Sequence, residues 1–339
     1  MTQKQANNVT LAIVFVVISI VMSIFLPERF LTVINFQSIT SQFPEYGLMA
    51  LGIMLAMTTG GIDLSLVSIT SISGVTAAMV LIQHANWAMP PVIVIIIAIL
   101  VALAVAAVAG LVNGLLITLA NVPAIIATLG TNGLFLGIAI VLTEGSGLSG
   151  FPEEFLFLGN GLVLGIPMPF ILFLAISALV GLLLNRTKLG FQMRMLGASP
   201  VVSQFSSVNN RLVLIKTHIL TGLLAGLAAI IIISRVNSVR PGYGSGYLLI
   251  TVLIAILGGT DPAGGFSTTL GTVLAIVTLQ VLTSGLNILA FTPFFRKFIW
   301  GLLLLGVMVI HYYRRMYYQK RIVQLSRQAS PPAESPPAE

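Results

Sequence analysis

Charged residues are scarce in this sequence: Asp, Glu, Lys and Arg make up 7% of its 339 residues, whereas hydrophobic residues make up 57%. Soluble globular domains carry about 25% charged residues. Residues 64–143 contain none of the four charged types. A soluble surface cannot be built from such a stretch, because too little polar cover would remain. The composition excludes an ordinary soluble protein and indicates a polytopic membrane protein.

Cysteine is absent altogether, which excludes disulfides, thiolate metal sites, iron–sulfur clusters and a cysteine nucleophile. The histidines His84, His218 and His311 are far apart, and no HExxH pair occurs. The sequence also lacks the Gly-x-x-x-x-Gly-Lys-Ser/Thr and Gly-x-Ser-x-Gly motifs. We therefore expect this chain to be no enzyme, to hydrolyse no ATP itself, and to hold no metal or cofactor.

Ten apolar segments are candidates for membrane-spanning helices, which need about 20 residues each. They are 9–26, 43–59, 64–83, 91–119, 124–142, 168–184, 212–234, 247–258, 268–289 and 294–311. The segment 247–258 is short for a crossing, and 91–119 must tilt or protrude. The predicted fold is an all-α polytopic membrane protein with about ten transmembrane helices.

The basic residues predict the orientation of these helices. If the N-terminus is inside, the inner loops receive most of the Lys and Arg residues, and the outer loop 143–167 has three Glu and no basic residue. This favours an N-in, C-in topology. The net charge of +7 is then explained by basic residues of the inner loops, which lie at the membrane lipid surface. We expect no nucleic acid partner. The predicted transmembrane domain is 1–325, followed by a disordered tail at 326–339 that is rich in Pro, Ala, Ser and Glu.

Two similar breaks interrupt the apolar segments. Both read Gly-Gly-x-Asp: Gly60, Gly61 and Asp63 in the first, and Gly258, Gly259 and Asp261 in the second. Glycine ends helices because it accepts a left-handed backbone. The simpler interpretation is that each Asp caps the next helix, with Pro262 as a first helical residue. The functional interpretation is a polar element near a gate, and the shared pattern hints at an internal repeat.

The longest polar inner loop, 185–211, has basic residues and no acidic ones. Ser199 can cap a helix that begins at Pro200. The apolar residues Val201, Val202 and Phe205 then fall on helical spacing. A short amphipathic helix follows, which would either rest on anionic lipid or dock on a soluble partner. Spacing alone does not separate the two.

Polar residues inside the spans are mostly uncharged, and acidic candidates are limited to Glu45, Asp63 and Asp261 near presumed helix ends. Ion-coupled carriers usually need membrane-embedded charged groups. A neutral lining therefore suits an uncharged hydrophilic solute whose driving force comes from elsewhere. The candidate lining residues are Asn113, Asn132, Gln280 and Asn287. Each amide could equally serve as a helix–helix hydrogen bond.

Three Gly-x-x-x-Gly motifs lie inside the predicted spans. They are Gly110-x-x-x-Gly114, Gly133-x-x-x-Gly137 and Gly222-x-x-x-Gly226. Paired small residues let two helix backbones approach closely. We interpret these motifs as helix-packing sites rather than as binding sites.

Five motifs, two of which include the Gly-Gly-x-Asp breaks, occur in a fixed order along the chain. They are TGGIDLS at 59–65, VPAIIATLGT at 122–131, TKLG at 187–190 leading to LGASP at 196–200, LGGTD at 257–261 with Gly264-Gly265, and SGLN at 284–287. In these motifs the sequence resembles, over about residues 10–311, the inner-membrane permease subunits of bacterial ABC importers for monosaccharides. This is the ribose-permease type, which includes autoinducer-2 permeases and is similar to branched-chain amino acid permeases.

The resemblance implies an importer complex with two permease subunits, as a homodimer or a heterodimer. It also implies two ABC ATPase subunits, which would bind ATP and Mg, and a periplasmic or lipid-anchored substrate-binding protein. Residues 187–208 would be the segment coupled to the ATPase. Its expected coupling residues are Lys188, Gly190, Arg194, Leu196, Gly197, Ser199 and Pro200.

The function expected from this resemblance is a permease subunit in the bacterial plasma (inner) membrane. It would move a small uncharged hydrophilic solute, a monosaccharide in the first place, into the cytoplasm. Autoinducer-2, a nucleoside or an amino acid would suit the same architecture. A stand-alone secondary carrier and a non-transporting membrane scaffold are alternatives from other classes.

The sequence departs from the family pattern at two positions. Residues 65–68 read Ser-Leu-Val-Ser where the family has Ser-Val-Gly-Ser, and residues 206–208 read Ser-Ser-Val where it has Ser-Gly-Ile. Without both glycines, the family's usual local packing need not carry over to these two positions. This departure is compatible with a subunit that pairs with a different permease.

Overall fold

The computed structural model describes residues 3–85, 87 and 89–329. Its helices are α1 (Gln3–Phe25), α2 (Pro27–Phe30), α3 (Val33–Thr58), α4 (Leu66–Leu81), α5 (Pro91–Thr118), α6 (Ala124–Thr143), α7 (Glu153–Asn160), α8 (Met168–Arg186), α9 (Lys188–Ala198), α10 (Pro200–Phe205), α11 (Asn210–Val236), α12 (Leu248–Leu257), α13 (Thr269–Ile288) and α14 (Pro293–Ala329). Short strands β1 (Leu148–Ser149), β2 (Leu162–Val163), β3 (Ile166–Pro167) and β4 (Ser238–Val239) pair antiparallel, β1 with β4 and β2 with β3. The predicted all-α fold is confirmed.

Every predicted span coincides with one of these helices. Seven helices in the described part of the chain are long and apolar enough to cross a membrane: α1, α4 with its continuation to His84, α5, α6, α8, α11 and α13. The chain is therefore a multi-pass membrane protein, whereas the number ten and the orientation stay predictions. Helix α12 has 10 residues, in keeping with its short apolar segment. Helix α14 reaches Ala329, and the rest of the predicted tail, 330–339, lies outside the described residues.

Helix α3 runs through the centre of the bundle. All of its residues from Phe43 to Thr58 are buried, and it packs against α8, α11, α12 and α13. A helix that is apolar on all sides is found where it has neighbours all round. Because α3 touches so many helices, a shift of α3 must affect most of the bundle.

Two of the Gly-x-x-x-Gly motifs hold α5 and α11 together. A Cβ on Gly110 would collide with the carbonyl oxygen of His218, and a Cβ on Gly222 would collide with the carbonyl oxygen of Ala106. Each glycine thus faces the backbone of the opposite helix, which only a residue without a side chain permits. The third motif differs, because a Cβ on Gly133 or Gly137 would meet no heavy atom within 4 Å.

Both Gly-Gly-x-Asp breaks lie at the same end of the bundle. The backbone N–H of Gly265 donates to the carbonyl of Thr58 across 3.0 Å, which joins the second break to the last residue of α3. We call this end, with residues 59–65, 258–268 and α9–α10, the break end. The opposite end, where α3 begins and α13 finishes, is called the far end.

The predicted capping role of Asp261 is wrong. Helix α13 begins at Thr269, and its cap is Thr268, whose hydroxyl accepts the N–H of Gly271 at 3.1 Å. Pro262 lies in the turn before this helix, where Asp261 accepts the N–H of Ala263 at 2.9 Å. The glycines at 264 and 265 have φ of +96° and +83°. A right-handed helix cannot contain such residues, so it starts after them.

The predicted cap at Asp63 also needs correction. The residue that precedes α4 is Ser65, which makes no side-chain cap bond. Asp63 instead accepts the backbone N–H of Ser65 at 3.0 Å in the turn before the helix. Its second carboxylate oxygen contacts His218 and Thr221 of α11. Tertiary partners therefore decide the position of this carboxylate.

Gly110→Ala tests the packing of α5 on α11. The added methyl group meets the His218 backbone, so we expect a loss of about 1–3 kcal/mol in the free energy of unfolding. Gly306→Ala on α14 is the matched control, because nothing lies within 4 Å of its Cβ position and alanine is the better helix former. Thermal unfolding in detergent measures both variants. Equal melting temperatures for the two would contradict the packing.

Candidate transport site

A cavity of about 340 Å³ lies at the far end between the first turns of α3 and the last turns of α13. Its lining residues are Asn35, Ser38, Ile39, Gln42, Gln280, Ser284, Asn287 and Ile288. None of these side chains carries a charge, and most are hydrogen-bonding groups. The volume falls in the range of small-molecule sites, about 300–1,000 Å³. Size and lining suit a small uncharged hydrophilic molecule.

Gln280 forms the floor of this cavity, and Asn287 lies at its mouth. Gln280 is 2% exposed, whereas Asn287 is exposed. The hydroxyl of Tyr46 donates to the Gln280 carbonyl oxygen, and Arg296 donates to the Asn287 carbonyl oxygen. The NH₂ groups of both amides make no hydrogen bond within the described residues. They are therefore available as donors to the oxygens of a solute.

A second contact ties the two cavity walls together near the mouth. The hydroxyl of Ser284 donates to the carbonyl oxygen of Asn35 across 2.7 Å. The amide of Asn35 in turn donates to the carbonyl of Phe30 at 2.9 Å. Together with the bond from Tyr46 to Gln280, this joins α3 and α13 both above and below the cavity.

The four amides predicted to line a pathway separate into two groups. Gln280 and Asn287 lie in the cavity, whereas Asn132 is half-buried on α6 and Asn113 is fully buried on α5. Asn113 donates to the hydroxyl of Ser65 at 2.7 Å and accepts from Thr131 at 2.6 Å. That is the helix–helix hydrogen bonding left open as the alternative.

Asp63 is the centre of a buried polar network at the first break. It is 0% exposed, and one carboxylate oxygen lies 3.3 Å from Nδ1 of His218 and accepts from Thr221 at 3.0 Å. The other oxygen accepts the hydroxyl of Ser65 at 2.6 Å, which links to Asn113. A buried carboxylate is tolerated only when it is paired in this way. The network joins the break to α5 and α11.

The segment 187–208 meets both breaks through glycine backbones. A Cβ on Gly197 would collide with the carbonyl oxygen of Thr58 and the nitrogen of Gly265. Gly264 lies in turn against Gly60 and the carbonyl of Gly197. The three glycine segments approach so closely that side chains have no room. We call this contact of Gly60, Gly197, Gly264 and Gly265 the glycine junction.

The same segment forms two helices, α9 and α10, rather than one. The predicted cap at Ser199 is confirmed: its side chain accepts the N–H of Val202 at 3.3 Å, and Pro200 is the first helical residue. Apolar side chains of α10 point away from the protein, with Val201 62%, Val202 56% and Phe205 87% exposed. An exposed apolar patch on a short helix suits either the membrane lipid or a protein partner.

The other predicted coupling residues lie on α9 and occupy different environments. Gly190 and Leu196 are buried, Lys188 is exposed, and Arg194 is half-buried. Arg194 donates to the carbonyl oxygen of Asn185 at 2.9 Å. Helix α9 thus turns an apolar side towards the bundle, where Met193 is 0% exposed, and leaves its basic side open.

The structure shows the local surroundings of both departures from the family pattern. Ser207, which stands at the family's glycine, has φ of +57°, a left-handed conformation that glycine adopts at lower cost. Val67 stands at the other glycine position and is 6% exposed. Its side chain packs near Gly244 in the segment before α12, where even a Cβ on Gly244 would lie at an ordinary contact distance of 3.5 Å.

Several cavity residues were missed in the sequence, although a signal was present. Asn35, Ser38 and Gln42 recur at helical spacing, which places them on one face of α3. Gln280, Ser284 and Asn287 do the same on α13. Two polar stripes inside apolar helices indicate that the helices face a shared polar space.

The two aspartates of the Gly-Gly-x-Asp breaks provide a matched test. Asp63→Ala leaves His218 buried without its partner, so we expect a loss of about 3–5 kcal/mol in stability. Asp261 is half-buried and bonds to one turn N–H, so Asp261→Ala should be far milder. The folded yield and the melting temperature in detergent measure the difference. Similar losses of melting temperature in both variants would contradict a stabilising role of the Asp63 network.

Comparison with known proteins places these features in a family. Residues 35–308 match the family described as "Branched-chain amino acid transport system / permease component". The ribose import permease of Bacillus subtilis is 33% identical over 89% of this chain and 91% of its own length. The L-arabinose transport permease of Escherichia coli is 31% identical over 89% of this chain and 90% of its own.

A solved structure supports the fold. It is described as an inward-facing conformation of a putative metal-chelate type ABC transporter, is 14% identical, and matches with a TM-score of 0.52 over 91% of this chain and 98% of its own. At this identity the likeness concerns the fold alone. The family match and the helical bundle agree that this is a multi-pass inner-membrane protein. The chain belongs to the branched-chain amino acid transport system / permease component family, and within it to the ribose-type ABC permeases.

Proposed function

We propose that this chain is the permease subunit of an ATP-driven importer that moves a small uncharged hydrophilic solute, a monosaccharide, into the cytoplasm. One observation carries the proposal. The cavity lies between α3 and α13. At their other ends these two helices adjoin the two Gly-Gly-x-Asp breaks, and Gly197 packs against both breaks. A solute-sized cavity and a partner-facing segment are thus joined by continuous, rigid elements.

The energy for transport comes from a separate ATPase in this proposal. The sequence has no nucleotide-binding motif, and the cavity has no charged lining residue that could couple to ions. The exposed apolar residues of α10 offer a docking surface for such a partner. When the ATPase shifts α9 and α10, the glycine junction transmits the shift to the ends of α3 and α13.

The solute class follows from the cavity and from the relatives. The lining is rich in amides and hydroxyls, which pair with sugar hydroxyls without needing a charge. Relatives are named for ribose, L-arabinose and D-allose, all of them small uncharged polyhydroxylated molecules. A nucleoside or autoinducer-2 shares this chemistry, whereas an amino acid carries charges that the lining does not match.

The break end faces the cytoplasm in this arrangement. It carries the basic residues Arg186, Lys188 and Arg194, and loops rich in Lys and Arg stay inside. The far end, with α7 and the short strands, then faces the periplasm and the substrate-binding protein. The cavity opens towards that side, where the binding protein would deliver the solute.

A second permease subunit completes the proposed complex, and α6 offers a surface for it. Gly130, Gly133 and Gly137 lie on this helix with no heavy atom within 4 Å of their Cβ positions. In the Gly-x-x-x-Gly motifs of α5 and α11, by contrast, the glycines contact another helix of the same chain. A row of glycines without such a contact permits close approach of another membrane helix. Whether the second subunit is a copy or a different permease is decided by co-purification.

Phe205→Ser tests the ATPase-docking surface. The side chain is 87% exposed, so its loss should leave the fold intact and remove a central apolar contact worth about 2 kcal/mol or more. We expect the ATPase to be lost when the permease is purified with it. Leu164→Ser is the matched control, because Leu164 is 98% exposed at the far end. Equal ATPase recovery from both variants would contradict the docking role.

Reconstituted uptake separates the candidate solutes and the candidate energy sources. We expect uptake of ribose, arabinose or allose into proteoliposomes that contain the permease, its ATPase and its binding protein, with ATP on the ATPase side. Leucine and adenosine serve as the amino acid and nucleoside controls. Uptake driven by a sodium or proton gradient with this chain alone would overturn the ATP-driven proposal in favour of a secondary carrier.

A further inference from the structure

Glu45 is a carboxylate that is buried in the middle of α3 and that the transport argument leaves unused. It is 0% exposed and directly precedes Tyr46, whose hydroxyl bonds the cavity floor at Gln280. We propose that Glu45 is a positioning residue that, through Arg235 and Tyr247, fixes Tyr46 on Gln280 and so closes the floor of the cavity. The proposal rests on the proposed function, because it takes the cavity as the place that holds the solute.

Two groups from the far end hold the Glu45 carboxylate. The Nε–H of Arg235 donates to one oxygen, and the hydroxyl of Tyr247 donates to the other across 2.9 Å. Arg235 is 26% exposed, so its guanidinium reaches from the surface to the fully buried carboxylate. Both oxygens of Glu45 are thus engaged by residues outside α3.

Tyr247 connects this ion pair to the floor. Its ring centroid lies 5.7 Å from that of Tyr46, with the two rings tilted by 50°. Tyr46 is 5% exposed, and its ring is confined on this side by Tyr247 while its hydroxyl reaches Gln280. Loss of the bond between Tyr247 and Glu45 would free the tyrosine ring that confines Tyr46. We call Glu45, Tyr46, Arg235, Tyr247 and Gln280 the floor latch.

The floor latch is attached to the surface that the binding protein would contact. Arg235 is in the last turn of α11, and Tyr247 directly precedes α12. The connection between them, which includes β4, is a far-end loop that pairs with β1. A displacement of this loop pulls on Arg235 and Tyr247 together. The floor would then open when the far end is engaged, and would stay closed otherwise.

A buried ion pair is not by itself evidence that the pair stabilises the fold. Replacing such a pair with uncharged groups of similar volume is often neutral for the fold, whereas removing one partner is costly. The double variant Glu45→Gln/Arg235→Gln therefore keeps the volume and removes both charges. It separates a role in closing the floor from a role in folding.

The absence of cysteine from the chain allows a direct readout of the floor. Ser38→Cys places the single thiol in the cavity lining, above the floor. Ala50→Cys places it one turn deeper than Tyr46 on the same face of α3, at a site that is 0% exposed. Labelling with a membrane-impermeant maleimide from the far-end side, on the full complex in membranes, reports whether the reagent passes the floor.

We expect Ser38→Cys to react in every background. Ala50→Cys should be protected in the parent chain and should react about tenfold faster with Tyr46→Phe or with Glu45→Gln/Arg235→Gln, as expected for loss of a buried hydrogen bond. Tyr243→Phe is the control, because the Tyr243 hydroxyl makes no hydrogen bond within the described residues. It should leave Ala50→Cys protected.

Three outcomes would overturn the proposal. Unchanged protection of Ala50→Cys in the double variant would limit Glu45 to a role in folding. Unchanged protection with Tyr46→Phe would show that its bond to Gln280 does not close the floor. If the double variant fails to assemble into the complex in the membrane, Tyr247→Phe replaces it, and protection equal to the parent chain would again count against the latch.

The labelling result is independent of the proposed function. It requires neither ATP nor solute, and it measures only passage of a reagent beyond Gln280. A latch that responds as expected in a chain that imports no sugar would leave the floor assignment standing and overturn the solute. Normal sugar import, together with an Ala50→Cys thiol that stays protected in every variant, would overturn the floor assignment and leave the solute standing.

Discussion

The glycine junction is the contact on which the rest of the structure depends. Gly197 lies against the carbonyl of Thr58 and the nitrogen of Gly265, and the N–H of Gly265 bonds the same carbonyl. Three separate stretches of backbone meet there without side chains between them, which only glycine permits. Because backbone contacts of this kind cannot yield as flexible side chains do, α9, α3 and the approach to α13 must move together or not at all.

The polar groups inside the bundle follow one physical rule, which is that a buried charge needs a partner in a membrane protein. Asp63 has His218, Thr221 and Ser65, and Glu45 has Arg235 and Tyr247. Glu45 ties the start of the buried stretch of α3 to α11, whereas Asp63, in the turn that follows α3, ties the first break to α11. Between them the helix is apolar, so its position is specified chiefly at its two ends.

The cavity lies between the far-end parts of α3 and α13. Two side-chain bonds cross between the helices, one from Tyr46 to Gln280 and one from Ser284 to Asn35. Other polar groups of the lining remain open to a ligand. A site held by a few exchangeable hydrogen bonds can change shape at a modest cost in free energy, unlike the close glycine contacts between α5 and α11. The bundle thus combines a rigid scaffold with one adjustable pair of walls.

Composition and pattern were enough to identify a polytopic helical membrane protein, its apolar segments, the two breaks and the cap at Ser199, because these depend on local backbone preferences and on transfer into lipid. Tertiary structure alone decided which polar residues share a space. It placed Asn113 in a helix-packing network and Gln280 in the cavity, moved the start of α13 to Thr269, and brought Tyr46 to Gln280 although they are far apart in sequence. The reason is that a polar stripe, such as those on α3 and α13, shows which face of a helix meets a polar space, whereas the partner on the other side is set by which helices pack together.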